Sequence, residues 1–179
     1  RMQLGLGIGG NEAEYEALDM GFRDRAKRFE EQIDVCRRLW TEQHVTYSGK
    51  WHTITDAGLA PMPIQRPIPI WIGAIADAAV RRAGRLADGW QVIAMDQAGD
   101  ETKAKFESFY AAATAAGRNI ADIGVEATVW GGGDNPDDWA NTARAWIEMG
   151  CTQVVFRPRG QLPDIQKAID AFAPLLSDL

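Results

Sequence analysis

Apolar residues recur with a helical period early in the chain. Phe22, Ala26, Phe29, Ile33, Cys36 and Trp40 follow one another at spacings of four, three, four, three and four residues. Such spacing lays a stripe along one face of a long helix. Before it, MQLGLGIGG (residues 2–10) reads as a strand that ends in glycines. Residues 43–67 keep no helical period and contain Gly49, Gly58, Pro61, Pro63 and Pro67. A stretch of that length predicts an excursion from the main fold, with short strands at HVTY and WHTI and the character of a lid. Regular alternation follows. Strands are predicted at 68–72, 89–95, 123–130 and 151–157. Helices are predicted at 77–86, 101–116, from the Asn135-Pro136-Asp137-Asp138 start to Gly150, and 164–176. Asn135 is placed to cap its helix, with Pro at the first helical position and acids in the first turn.

Strands alternating with helices imply βαβ units and a parallel sheet. The runs IPIWI, WQVIAM and TQVVF are apolar at both parities, as strands covered on both faces require. There are five such units, without an internal repeat, and a closed (β/α)8 barrel needs eight in about 250 residues. The pattern therefore predicts an α/β chain forming a single domain over residues 1–179. It fits either an open doubly wound sheet or the last five-eighths of a TIM barrel.

Two side-chain-poor stretches carry the candidate chemistry. LGLGIGG contains a formal G-x-G-x-x-G at Gly5, Gly7 and Gly10. Only Met2 to Leu4 precede it and a long helix follows, whereas a dinucleotide fingerprint joins a full strand to a helix within a βαβ unit. Read as a strand, Gly5, Gly7 and Gly9 share one face and leave it bare, with room for a bulky flat ligand or for crowded neighbouring side chains. The second stretch, Gly73-Ala74-Ile75-Ala76, lies at the carboxyl end of a strand and opens a helix. Ligands of α/β sheets bind at that end, and the first amides of a helix attract anions. A tight turn built small for packing alone is the competing reading. Trp90 and Trp130 lie near strand runs and are pocket candidates, with helix–sheet packing as the alternative. Arg157 flanks Pro158 just beyond the last strand and is a substrate-pocket candidate.

Composition narrows the function classes. The 179 residues are 46% hydrophobic and 25% charged, with a net charge of −6, as in soluble globular proteins. The basic residues are scattered, which argues against nucleic acid as partner. No apolar run reaches the ~20 residues of a membrane helix and no signal peptide is visible, so the expectation is a cytoplasmic protein without a membrane partner. Cys36 and Cys151 lack C-x-x-C spacing and read as free thiols. His44 and His52 lack metal-ligand spacing, so no metal is expected. A start at Arg1 rather than Met suggests a fragment, a processed product or a tag-derived start.

Together, LGLGIGGNEAEYEALDMGF, RFEEQIDVCRRLWTEQHVTYSGKWHTI, PMPIQRPIPIWIGA and RRAGRLADGW, in that order and spacing, resemble the luciferase-like monooxygenase superfamily. The likeness is greatest to its oxidoreductases that use the deazaflavin coenzyme F420. It implies a (β/α)8 barrel in which LGLGIG is the fourth strand, so that three strands and their share of the ring site would precede Arg1. It also implies hydride transfer to or from a small organic substrate. Gly73, Ala74, Ile75 and Ala76 would bind the phosphate-bearing tail of the cofactor; Gly7 and Gly9, on the bare strand face, are the further cofactor-binding candidates. Asn11 and Glu14 match the place where some deazaflavin enzymes hold polar residues near the substrate, and are the catalytic candidates. The stretch AMDQAGD lacks the basic residue of the sugar-phosphate dehydrogenases, which argues against a phosphorylated sugar. Two alternatives stay open: an FMN-dependent monooxygenase using oxygen, and a non-catalytic flavin-binding or scaffolding barrel remnant. Unpaired strand edges would make the chain a homo-oligomer, most simply a dimer.

Overall fold

The computed structural model describes residues 2–93, 99–131 and 135–178. The chain divides into two compact units, residues 1–70 and 71–179.

The first unit contains β1 (Leu4–Leu6), α1 (Glu12–Ala17), α2 (Arg25–Thr41), β2 (Val45–Ser48) and β3 (Thr53–Ala57). The predicted amphipathic helix is α2, and its apolar stripe buries Phe29 and Ile33 together with Val35. β1 is shorter than the predicted run over 2–10. Its backbone leaves the extended state, and Gly9 sits at φ +70°, a left-handed conformation that glycine adopts without a Cβ penalty. The expectation of three glycines on one strand face is thereby corrected: only Gly5 lies within β1. The Pro-rich return is tied to this strand. Gln65 accepts from Met2 N at 2.8 Å and donates to Met2 O at 3.0 Å, while Leu4 N donates to Pro69 O at 2.9 Å.

Within 43–67, β2 and β3 form an antiparallel hairpin with an irregularity between Val45 and Tyr47. Its end is fastened by a carboxylate from α2. Glu31 accepts hydrogen bonds from the amides of Lys50 (2.9 Å), Trp51 (2.9 Å) and His52 (2.8 Å), and faces His52 Nδ1 at 2.9 Å. Gly49 leaves the room: a Cβ there would lie 2.3 Å from Glu31 Oε1.

The second unit is built on β4 (Ile70–Ala74), β5 (Gly89–Val92), β6 (Gly124–Gly131) and β7 (Gln153–Pro158), parallel and adjacent in that order. They are joined and followed by α3 (Asp77–Leu86), α4 (Asp100–Ala115), α5 (Pro136–Glu148) and α6 (Leu162–Phe172). Asn135 caps α5 by accepting from Asp137 N at 3.2 Å. One face of the sheet packs on the helices. Ile70, Ile72, Trp90, Val125, Ala127 and Val129 are buried there, and Phe156 meets Trp139 of α5 and Phe172 of α6 at 5.1 and 4.4 Å between ring centroids.

The opposite face is ordered in rows by the strand register. Trp71, Gly89 and Gly124 form the lowest row, and the glycines there are a matter of space. A Cβ on Gly89 would stand 2.2 Å from Trp71 Cδ2, and one on Gly124 2.5 Å from Trp71 Cη2. The Trp71 indole therefore lies across both strands as a floor. Above it come Gly73, Gln91, Glu126 and Gln153, then Thr128 and Val155, then Trp130 and Arg157.

Candidate functional site

Three places hold the residues singled out from sequence. The first is the turn from β4 to α3. Ala74 is buried, Ile75 is exposed, and Ala76 is the N-cap residue with extended backbone (φ −69°, ψ 142°). An alanine has no side chain to close the helix, and no side chain caps it. Asp77 stands in the first turn, where its charge would repel an anion. Lys105 of α4 answers that charge: its Nζ donates to Ile75 O at 3.1 Å and to Asp77 Oδ1 at 3.3 Å, and lies 3.4 Å from Glu101 Oε1. Partial burial works to lower the Lys105 pKa, but hydrogen bonds and charge from Asp77 and Glu101 outweigh it and hold it above its ordinary value. The turn thus carries a fixed ammonium that sequence spacing does not reveal, since Lys105 is remote in the chain.

Trp90 supports the same turn from behind. It is fully buried, 5.1 Å from Phe106 and 5.4 Å from Phe109 between ring centroids, and its Nε1 donates to Ala74 O at 3.0 Å. Trp90 thus faces the helices, and strand alternation sends Gln91 to the other side of the sheet.

The second place is the opposite sheet face, at the carboxyl-terminal half of β5, β6 and β7. A cavity of about 160 Å³ is lined by Gln91, Ile93, Glu126, Thr128, Trp130 and Arg157, among others. Gln91 Nε2 donates to Glu126 Oε1 at 3.0 Å. The guanidinium of Arg157 lies 5.7 Å from the Trp130 ring centroid, and that of Arg159 lies 4.8 Å away, both within cation–π range. Sequence reasoning singled out Arg157 but missed Gln91, Glu126 and Thr128. The signal was present in VEATVW, where polar residues at every second position mark a wet face of the strand.

The third place follows β1. Gly7 has open space where a side chain would stand, whereas Gly9 faces Tyr15, whose hydroxyl donates to Ile8 O. A cavity of about 470 Å³ lies against Leu4, Leu6, Gly7, Phe29, Ile33 and Cys36, among others. Asn11 and Glu14 are drawn into local structure. Asn11 caps α1 by accepting from Ala13 N at 3.2 Å, and its amide donates to Glu14 Oε1 at 3.0 Å; both residues are exposed. The stretch 94–98, which falls in AMDQAGD, lies outside the described residues. No helix among the described residues is long and apolar enough to cross a membrane.

The parallel βα units agree with the match of residues 1–169 to the luciferase-like monooxygenase family. The chain belongs to this family. Among curated relatives it is 28% identical over 173 residues to an F420-dependent glucose-6-phosphate dehydrogenase of Segniliparus rotundus, covering 93% of this chain and 51% of that protein. It is 33% identical over 133 residues to an F420-dependent hydroxymycolic acid dehydrogenase of Mycobacterium tuberculosis, covering 73% of this chain and 36% of that protein. The chain thus spans about half the length of the first relative and about a third of the second. Among solved structures, an F420-dependent secondary alcohol dehydrogenase in complex with an F420-acetone adduct superposes with a TM-score of 0.82 at 16% identity, over 97% of this chain and 68% of that one. The monooxygenase RslO1 from Streptomyces bottropensis gives 0.81 at 16% identity, over 99% of this chain and 68% of that one. The fold is that of the luciferase-like TIM barrels, here as an α/β chain with parallel strands.

Proposed function

We propose that the protein is an oxidoreductase using coenzyme F420, with hydride passing between the deazaflavin and a small organic substrate. The observation that carries this reading is the β4–α3 turn. Small residues from Gly73 to Ala76 and a helix start without a side-chain cap let a phosphate approach main-chain amides. Lys105 offsets Asp77 at the same place. The turn therefore fits an anionic tail. The names of the relatives, F420-dependent dehydrogenases at 28% and 33% identity, favour the deazaflavin over FMN.

When bound, the cofactor would supply the redox-active carbon, and the chain would supply binding and orientation. Gly73, Ala74, Ile75 and Ala76 would hold the tail by main-chain groups, with Lys105 fixing the turn through the Ile75 carbonyl. Trp90 would keep Ala74 in place from the helix side. Gln91, Glu126 and Thr128 would present polar atoms to a substrate on the other sheet face.

Equilibrium titration of the purified protein with F420 and with FMN tests the reading. Tighter binding of F420 is the expected result. The reverse order would replace it by the FMN-dependent monooxygenase. Binding of neither would leave the non-catalytic scaffolding remnant.

A further inference from the structure

Two opposite charges line the cavity above β5, β6 and β7 without meeting each other. Glu126 has its Oε1 held by Gln91 at 3.0 Å, and no cation pairs with it among the described residues. Arg157 rests against Trp130, and no carboxylate pairs with it among the described residues. Both are attached to the same sheet face but at different heights. Arg157 stands opposite Trp130, four residues beyond Glu126 along β6. At ~3.3 Å per residue the two attachment points are offset by about 13 Å along the strands. Thr128 lies between them, with Val155 as its neighbour on β7.

A partly enclosed cavity with a fixed anion at its lower end and a cation at its upper end is complementary to a dipolar molecule of the opposite sense. A ligand with only one charged end would leave the other protein charge facing it unanswered, and charge complementarity of this kind selects partners. The Gln91 amide donates to one carboxylate oxygen and leaves the other free to accept from an ammonium. An arginine fork suits a carboxylate, which it can bind in two-point fashion.

We propose that this cavity is a binding site for a zwitterionic, amino-acid-type molecule, its ammonium at Glu126 and its carboxylate at Arg157. As the substrate site of an oxidoreductase it rests on the function proposed above, but the binding itself is testable without any cofactor.

Isothermal titration of the cofactor-free chain with 6-aminohexanoate, hexanoate and hexylamine, at low ionic strength, provides the test. The doubly headed ligand should bind at least about tenfold more tightly than either singly headed one, as each charged hydrogen bond contributes on that scale. Glu126→Gln should reduce 6-aminohexanoate to the affinity of hexanoate, and Arg157→Gln to that of hexylamine. Both residues sit on the wet face of the sheet, and far-UV circular dichroism of each variant verifies the fold. Equal binding of hexanoate and 6-aminohexanoate, no heat with any of the three, or variants that bind as the native chain does would each overturn the proposal. Should this site bind as expected while F420 fails to bind, the F420 reading falls and the site stands. The converse result removes the site and leaves the reading intact.

Discussion

Replacing Gly89 by alanine should destabilise the protein for one reason, and removing that reason should reverse the sign. A Cβ at Gly89 would lie 2.2 Å from Trp71 Cδ2 and 2.4 Å from both Cε2 and Cε3. Carbon atoms pack at ~3.5–4.0 Å, so the overlap exceeds about 1 Å at three ring atoms at once. The indole cannot simply slide toward β6, because Gly124 leaves only the space it already fills. Trp71 is 6% exposed, so a shift disturbs buried contacts. Overpacking of this kind costs about 1–3 kcal/mol. In a Trp71→Leu background the overlap is gone, and alanine should then gain about 0.5–1 kcal/mol over glycine by restricting the unfolded chain. Urea unfolding followed by far-UV circular dichroism measures all four variants without relying on tryptophan emission. An equal cost of Gly89→Ala in both backgrounds would refute the claim that these glycines exist to seat the ring.

Gly73→Asp should weaken F420 binding by about tenfold or more, because a second carboxylate at the turn opposes an anionic tail; the titration used above measures it. Glu31→Gln should lower stability at neutral pH and cease to matter in acid. Burial works to raise the Glu31 pKa, but His52 and the amides of Trp51, Lys50 and His52 hold it below its ordinary value. Its contribution is therefore full above the unfolded glutamate pKa of about 4.3 and is lost as pH falls through the lower folded value. Urea midpoints of both proteins across that range check the convergence. Cys151 is buried and its thiol is pushed up to about 12, while Cys36 is half-buried and raised less far. Native protein treated with iodoacetamide near pH 8 should be labelled at Cys36 first and at Cys151 only on unfolding, as peptide mass mapping will show.

Helices were legible wherever caps and apolar period coincided. The helix expected at 77–86 is α3 with the same bounds, and Asn135-Pro136 starts α5 as its composition implies. Strand existence was equally readable, but strand facing was not. IPIWI and WQVIAM are apolar at both parities, so nothing local says that Trp90 turns to the helices while Gln91 and Trp71 turn away. That choice is made by the partner strands and by the glycines beneath Trp71. The glycine-rich start misled for a related reason. Alternating glycines imitate a strand with one bare face, yet without side chains nothing holds them extended, and the chain leaves β1 at Leu6. Arg157 could be found because a charged residue at a strand end is conspicuous. Its counterpart Glu126 sits mid-strand between apolar neighbours and becomes meaningful only through register with Gln91. Lys105 belongs to the same class, since only the packing of α4 beside α3 brings it to the turn.

The carboxylate of Glu31 reads the hairpin end mainly through peptide nitrogens, which every non-proline residue provides. That part of the anchoring depends on the length of the loop and not on its side chains, whereas Trp51 Nε1, donating to Asp24 Oδ2 at 3.2 Å, and Lys50 Nζ, 3.6 Å from the same oxygen, add a second attachment that does depend on them. Substitutions at the tip therefore leave the Glu31 contacts in place and remove only the second attachment. A single inserted residue would pull the amides out of step with the helix that holds them.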